Sequence, residues 1–370
     1  MATTGRIVPP FRADHIGSLL RPSALRQAHR DRHSSKITAE SFDHILDDCI
    51  RGIVGLQESL GLKVVTDGEF RRVSYWGRFV ERIDGFEIRP ASFKFRDDSG
   101  HETDFTAPYA ARKVRRLQPL ALDEFKFLKK HAKATPKITL PAPSTMHFYR
   151  CDDFADKSAY KDVESFFDDA VALFRAELAA LAQAGCRYVQ LDEVAIAMLC
   201  DPAIRAAIAR EGHDPHQLVE IYIDAINRSV VDLPGDMFIG VHICRGNFKG
   251  NYLSEGGYDL VAEPLFQKSK VSHFLLEYDT PRAGDFKPLQ FVPKNMGIVL
   301  GLVSSKTPAL ESVDTLKRRI DEAAQHIDVS QLAISPQCGF ASTVAGNPVT
   351  EIDQAQKLSL VVETARKVWR

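Results

Sequence analysis

The sequence has almost no excess charge and no long apolar run. Its 48 basic and 49 acidic residues give a formal net charge of -1, so no strong field is available to hold a polyanion or an acidic membrane. Because the N-terminus lacks a long apolar stretch, we expect neither a signal peptide nor a membrane span. These absences argue against nucleic-acid and membrane partners.

Cysteine is present, but not in the dense spacing of a disulfide framework. The six cysteines are scattered through 370 residues: Cys49, Cys151, Cys186, Cys200, Cys244 and Cys338. In a chain of this length, such spacing is typical of reduced thiols rather than of a small disulfide-bonded scaffold. We therefore expect a cytoplasmic protein.

A further absence narrows the fold class. No Gly-x-Gly-x-x-Gly follows the first apolar stretch, which disfavours the doubly wound open sheet of dinucleotide-binding proteins. What is present is a series of short apolar stretches, most of them separated by helical patterns, near residues 13, 65, 138, 189, 240, 275, 300 and 333. Such stretches are typical of parallel strands covered on both faces. Eight of them predict an α/β protein with a closed (β/α)8 TIM barrel.

The predicted barrel is a single domain with one insertion. Residues 1–10 are polar with two adjacent prolines, and we expect them to form an N-terminal arm before a barrel over residues 11–370. Near residues 86–120, an alternating pattern and an Asp-Asp-Ser-Gly turn predict a hairpin insertion. The insertion could cover the barrel or make a subunit contact, and the sequence does not distinguish between the two. The sequence does not give the oligomeric state either, and a homo-oligomer is one possibility.

Residues with metal-binding side chains fall where the predicted strands end, which is the catalytic face of barrel enzymes. They supply one imidazole, one carboxylate and two thiolates: His242, Cys244, Glu277 and Cys338. This set suits Zn2+ better than magnesium or calcium, which prefer oxygen ligands. An electron-rich zinc of this kind activates water poorly but holds a thiolate substrate that stays nucleophilic. We therefore predict zinc-activated alkylation of a thiol, with Glu277 as the displaceable ligand. A closed structural zinc site is the alternative, although such sites usually contain Cys-x2-Cys knuckles.

The same strand ends carry a series of short motifs in a fixed order. They are Ile16-Gly17-Ser18, Asp67-Gly68-Glu69, Gln190-Leu191-Asp192-Glu193, His242-Ile243-Cys244, Glu277 and Pro336-Gln337-Cys338-Gly339. Over nearly the whole chain, this order resembles the catalytic barrel of cobalamin-independent methionine synthase, especially its short single-barrel relatives. The resemblance implies Zn2+ on the four residues given above. It also implies that the amino and carboxylate groups of homocysteine meet Glu69, Asp192 and the backbone of Ile16, Gly17 and Ser18.

The part of the family pattern that serves the methyl donor is altered here. After the seventh strand the family has a histidine thought to protonate the departing folate, and Lys306 stands in its place. We predict Lys306 and Asp192 as catalytic residues. After the third strand the family has a tryptophan that stacks on the pterin, for which Tyr149 or Phe148 is the candidate substitute.

The leading function is methyl transfer to the thiol of homocysteine, with 5-methyltetrahydrofolate or a related compound as donor. One alternative keeps the zinc but alkylates another thiol, such as coenzyme M, with an epoxide or another small electrophile. A second is a metal-free barrel similar to uroporphyrinogen decarboxylase. A third, a binding protein without catalysis, is disfavoured by the number of ionisable groups directed at one end of the barrel.

Overall fold

The computed structural model describes residues 9–369, so most of the N-terminal arm predicted over residues 1–10 lies outside the described residues. The strands are β1 (Val64–Val65), β2 (Ile83–Pro90), β3 (Phe95–Arg96), β4 (Glu102–Thr103), β5 (Thr106–Arg116), β6 (Thr135–Pro136), β7 (Ile138–Pro141), β8 (Tyr188–Glu193), β9 (Phe238–Ile243), β10 (His273–Glu277), β11 (Gly297–Val303) and β12 (Leu332–Pro336). The helices are α1 (Ser23–His33), α2 (Ala39–Ser59), α3 (Gly77–Glu81), α4 (Leu122–His131), α5 (Val163–Gln183), α6 (Ala195–Met198), α7 (Pro202–Arg210), α8 (Pro215–Ser229), α9 (Ala262–Lys268), α10 (Val313–Ala323) and α11 (Glu351–Val368). Of the helices described, none is both long and apolar enough to cross a bilayer.

Parallel strands form a barrel, as predicted. Strands β7 to β12 make one six-stranded sheet in chain order, and β1 pairs in parallel with β6, which leads into β7. The first predicted strand is reduced to a single parallel bridge between Ala13 and Ile334 of β12. The Thr66 hydroxyl donates a hydrogen bond of 2.6 Å to the carbonyl of Gly17 and connects this segment to β1. Gly17 has φ +125°, so the chain leaves the extended conformation before more strand pairs form.

The barrel strands are buried because their side chains are apolar on both faces. Every residue of β8, β10, β11 and β12 is buried, which is the pattern of strands covered outside by helices and filled inside by side chains. A compact cluster of Ile16, Leu275, Val299 and Ala333 is buried separately from the main core. Burying each large aliphatic side chain stabilises the fold by roughly 1.5–3 kcal/mol.

A polar cluster lies at the amino ends of the strands. The Lys137 ammonium donates to the carboxylate of Asp14 over 2.8 Å, and both side chains are fully buried. The Tyr188 hydroxyl donates to the other oxygen of Asp14 at 2.6 Å. Because these buried groups satisfy one another, the cluster braces the barrel, and the strand ends that carry the predicted site lie at the opposite end.

The insertion predicted near residues 86–120 is confirmed, although its paired strands start and end slightly earlier. Strand β2 pairs antiparallel with β5, and the short pair β3–β4 forms the tip. The Ser92 amide donates to the carbonyl of Tyr149 at 2.8 Å, and the Arg96 amide donates to Tyr252 at 2.7 Å. These bonds hold the insertion against the loops that follow β7 and β9. It therefore covers the carboxyl end of the barrel, where the candidate site lies.

Candidate active site

Three of the predicted zinc ligands meet at one point. The ligand atoms of His242, Cys244 and Cys338 all lie within 4.8 Å of one another, and all three residues are buried. The two sulfur atoms are 3.8 Å apart, although the residues are far apart in sequence. Strand β9 carries His242 and leads directly into Cys244, whereas Cys338 follows β12. The alternation of side chains along a strand directs His242 and Cys244 to the same side.

The His242 ring is oriented as a metal-binding imidazole requires. Its Nδ1 lies 3.2 Å from the carbonyl oxygen of Leu275, and its Nε2 is buried with no hydrogen-bond partner among the described residues. A backbone carbonyl on one ring nitrogen keeps the other nitrogen free as a ligand. The donor set, its burial and this orphaned nitrogen fit Zn2+.

The two thiols differ in acidity because they face each other in a buried space. The hydrogen bond between the two thiols, together with His242, holds the pKa of Cys338 well below that of an ordinary thiol despite burial. The same hydrogen bond, burial and the negative charge of Glu277 raise the pKa of Cys244. One thiolate is therefore favoured even before a cation is considered.

Glu277, the fourth predicted ligand, lies outside this three-residue group. Its Oε2 accepts a hydrogen bond of 2.7 Å from the backbone N–H of Arg245, and its Oε1 is buried without a hydrogen-bond partner in the described part of the chain. Burial raises the pKa of Glu277, but the positive charges of Lys306 and Arg245 outweigh burial and lower it. The carboxylate is thus charged and has one oxygen available.

An inner cavity of about 50 Å3 adjoins the cysteines. Its lining includes most of the residues predicted to bind metal or substrate: Ile16, Ser18, Glu69, Asp192, His242, Cys244 and Cys338. Glu69 has the strained backbone angle φ +60°, and its Oε2 is buried with no partner among described groups. Burial raises the pKa of Asp192 to about 7, and Gln190 donates to its Oδ1 at 2.7 Å. Two carboxylates with unused hydrogen-bonding capacity therefore face one small space.

The segment from Ile16 to Ser18 forms another wall of the inner cavity. Within residues 9–369, no group accepts a hydrogen bond from the backbone N–H of Ile16, Gly17 or Ser18. A Cβ on Gly17 would lie 2.6 Å from Thr139, and a Cβ on Gly339 would lie 1.8 Å from the Ser18 hydroxyl. Glycine is therefore needed at both positions, because any larger residue would collide with these neighbours. Free N–H groups beside a hydroxyl suit a carboxylate.

Comparison with known proteins identifies the family of the chain. The catalytic-domain model of the cobalamin-independent synthases matches residues 11–366. The chain belongs to this family. It is 40% identical to the uncharacterized protein YxjH of Bacillus subtilis, over 98% of this chain and 95% of that protein. It is 28% identical to a methionine synthase of Pyrococcus furiosus, over 88% and 85% of the two chains. The solved structure of a B12-independent methionine synthase from Shewanella sp. W3-18-1 has a TM-score of 0.74 at 20% identity, covers 96% of this chain and 97% of that one, and shares the fold.

Lys306 was predicted from the sequence to act in catalysis. In the structure it does not line the inner cavity. Its ammonium donates to the carbonyl of Gly246 at 3.1 Å. It lines a separate cavity of about 200 Å3 together with Asp279 and Arg282. Lys306 contributes positive charge near Glu277 and Cys338, so its contact with the site is electrostatic.

An outer cavity of about 690 Å3 shares part of its wall with the inner cavity. The shared residues are Tyr75, Phe95, Tyr149, Asn247 and Ser342. Of the two aromatic substitutes considered after the third strand, Tyr149 lines both cavities. Phe148 instead is buried and stacks on Phe93 with ring centroids 5.2 Å apart, so it faces neither space.

Several lining residues were not identified from the sequence. Tyr75 and Trp76 follow the acidic end of β1, and the insertion supplies Phe86, Phe95 and Phe105. For Tyr75 and Trp76, the sequence did offer a signal, namely two adjacent aromatic residues shortly after a strand end. For the insertion residues it offered no signal, because their position depends on how the hairpin packs over the barrel.

Proposed function

We propose that this protein transfers a methyl group to the thiol of homocysteine with the help of a zinc ion. One observation carries the proposal: the ligand atoms of His242, Cys244 and Cys338 converge within 4.8 Å beside the carboxylates of Glu69 and Asp192. The first three residues suit a zinc ion and the last two suit an amino acid. A cytoplasmic location with reduced thiols is part of this proposal.

The zinc-binding residues prepare a thiol for attack. When bound to them, zinc supplies the positive charge that removes the thiol proton at neutral pH. The carbonyl of Leu275 fixes the orientation of the His242 ring. Glu277 is the proposed fourth and displaceable ligand, and the backbone N–H of Arg245 is the group that would hold its carboxylate away from the other ligands.

The inner cavity favours homocysteine over coenzyme M as the acceptor. An ammonium group pairs with carboxylates such as Glu69 and Asp192, whereas the sulfonate of coenzyme M would be repelled by them. The backbone N–H groups of residues 16–18 would receive the amino acid's carboxylate. Neither of the alternative functions, alkylation of another thiol by an epoxide or decarboxylation without a metal, requires carboxylates that pair with a substrate ammonium.

Asp192 and Lys306 have separate proposed roles. Asp192 binds the substrate ammonium directly, since it lines the inner cavity. Lys306 acts at a distance by keeping Glu277 negatively charged, because its own ammonium is engaged by Gly246. The identity of the methyl donor as 5-methyltetrahydrofolate remains a prediction that is based on the family resemblance.

The test is binding of thiols to purified protein. Metal analysis should find one zinc per chain, and calorimetry should detect homocysteine binding with release of one proton per thiol. Coenzyme M should bind at least about tenfold more weakly, since it lacks the ammonium. Protein without zinc, or equal affinity for the two thiols, would refute the proposal.

A further inference from the structure

The two joined cavities are lined by acids and aromatic rings, with His242 of the inner cavity as a basic side chain that we assign to the metal. The outer cavity is lined by seven aromatic residues: Tyr75, Trp76, Phe86, Phe95, Phe105, Tyr149 and Phe248. Its charged lining residues are Glu81 and Glu87, and those of the inner cavity are Glu69 and Asp192. Among the described residues, no lysine or arginine lines either space.

Three arginines that are adjacent in sequence to lining residues of the outer cavity are already paired. Arg72 contacts Glu124 at 2.6 Å, and Arg89 contacts Glu87 at 2.8 Å. Arg78 contacts Asp123, also at 2.6 Å. Arg72 also contacts the inner-cavity acid Glu69 at 3.5 Å, so Arg72 and Arg89 are both held by acids of the cavity lining. A donor with several carboxylates, such as a folate with its glutamate tail, would therefore find no lysine or arginine on the described lining of either cavity.

We propose that the outer cavity binds a methyl donor whose methyl group is attached to a positively charged sulfur or nitrogen, that is, a sulfonium or quaternary ammonium compound. The inference rests on the proposed function, in which homocysteine is the acceptor. Aromatic faces attract such cations, most strongly where water is excluded. The carboxylate of Glu81 at the wall adds an attraction of the same sign.

The reaction with such a donor balances without a proton donor. The homocysteine thiolate attacks the methyl carbon, so that a sulfur–carbon bond forms while the bond from that carbon to the donor atom breaks. The electron pair of the broken bond stays on the donor, which leaves as a neutral thioether or tertiary amine. A methylfolate, whose donor nitrogen is uncharged, would instead leave with the electron pair and a negative charge on that nitrogen, so it must take up a proton to become an amine.

The absence of a suitable acid in the cavities agrees with this chemistry. Lys306, which stands where the family pattern has a proton-donating histidine, lines neither cavity. Among the described residues, His242 is the histidine that lines the inner cavity, and the outer cavity has none; we assign His242 to the metal. The phenols of Tyr75 and Tyr149 lie 2.9 Å apart, and their pKa values are raised by burial. Each phenol therefore lies beside the other and is a weaker acid than an exposed tyrosine.

Binding can be measured with Trp76, which is one of the two tryptophans in the chain. In the Trp369→Phe variant, Trp76 is the only tryptophan, and its fluorescence reports on the outer cavity. Choline and its neutral carbon isostere 3,3-dimethylbutan-1-ol have the same shape and differ in charge. We expect choline and trimethylsulfonium to bind at least about tenfold more tightly than the neutral alcohol. Equal affinities would overturn the proposal.

A pair of matched variants tests the charge at the wall. Glu81→Gln should weaken choline binding by about twofold to fivefold and leave binding of the alcohol unchanged. Glu263→Gln, an exposed acid on α9, should change neither. If Glu81→Gln weakens both compounds equally, the charge complementarity is refuted.

Transfer is tested with the zinc-loaded protein, homocysteine and deuterium-labelled donors. Trimethylsulfonium and tetramethylammonium carry no acid group, and mass spectrometry of the labelled methionine shows which of the two onium classes is used. Label from either cation supports the proposal. Label from 5-methyltetrahydrofolate alone overturns it but leaves the proposed function intact. If homocysteine itself does not bind to the zinc protein, the proposed function fails first.

Discussion

The two halves of the site are built by different parts of the chain. The half that we assign to the thiol consists of residues at the ends of barrel strands, and its members satisfy or orient one another inside the core. The half that we assign to the methyl donor consists of aromatic residues from the insertion β2–β5 and from the loops after β1, β7 and β9. In the proposed function, the barrel strands supply the residues for the thiol, and the insertion supplies a large part of the wall for the methyl donor.

The largest expected effect is on the thiol half. Cys244→Ser or Cys338→Ser removes a soft ligand, so each variant should lose zinc and reduce methyl transfer by at least about a thousandfold, while circular dichroism still shows a folded barrel. Cys186→Ser is the matched control, because Cys186 is also buried but its Sγ hydrogen-bonds to the carbonyl of Tyr188 instead. Full zinc content in both ligand variants would contradict the assignment.

Asp192→Asn separates substrate binding from metal binding. The KM for homocysteine should rise by about tenfold to a hundredfold, because a charge-assisted hydrogen bond is lost, while the zinc content stays at one per chain. The neighbouring acid Glu193 offers a matched control. It accepts a hydrogen bond from the backbone N–H of Ile196 at 2.9 Å and does not line the inner cavity. Glu193→Gln should therefore leave the KM nearly unchanged, and an equal effect of both substitutions would remove Asp192 from the substrate site.

The donor half should respond independently of the thiol half. Trp76→Leu takes one aromatic face from the outer cavity, so the KM for the methyl donor should rise by about threefold to tenfold. Zinc content and homocysteine affinity should stay at the values of the unmodified protein. Trp369→Phe serves as the control in steady-state kinetics. A change in homocysteine affinity as large as the change for the donor would mean that the two halves are not separable.

The last expected effect concerns acid stability rather than activity, and it involves two buried histidines that line neither cavity. Burial lowers the pKa of both His15 and His147 to about 3. The unfolded chain takes up a proton on each ring below pH about 6.5, whereas the folded chain does not, so stability falls as the pH drops between these values. Each histidine contributes up to about 1.4 kcal/mol per pH unit.

Removing either histidine should flatten this dependence. His147→Asn or His15→Asn should reduce the slope of unfolding free energy against pH, measured by urea denaturation between pH 6.5 and 4. The slope is compared rather than the stability itself, because either substitution also changes packing. His216→Asn, at an exposed position, is the control and should keep the original slope.

The thiol half of the site could be predicted from the sequence more completely than the donor half. Strand ends are local features, so His242, Cys244 and Cys338 could be identified from apolar runs followed by ligand-type residues, and the barrel brings them together. The first strand was less predictable, because the positive φ of Gly17 ends it after one bridge. The position of Glu277 outside the three-residue group depends on a backbone bond to Arg245, which no pattern encodes.

The aromatic wall was not predictable for a further physical reason. Phe86, Phe95 and Phe105 belong to a hairpin whose alternating pattern predicts strands but not the surface against which they pack. Contacts with neighbouring loops, such as the backbone bonds from Ser92 and Arg96, determine that these rings face the barrel. Sequence reasoning therefore found the insertion near residues 86–120 and left its position unassigned.

X-ray absorption at the zinc edge tests the central claim most directly, because it counts the sulfur atoms bound to the metal. With His242, Cys244 and Cys338 as ligands, the resting protein should show two sulfur neighbours, and the count should rise to three when homocysteine is added. A resting count of two that does not change with saturating homocysteine would contradict thiol activation by zinc. A count of zero would contradict the ligand assignment itself.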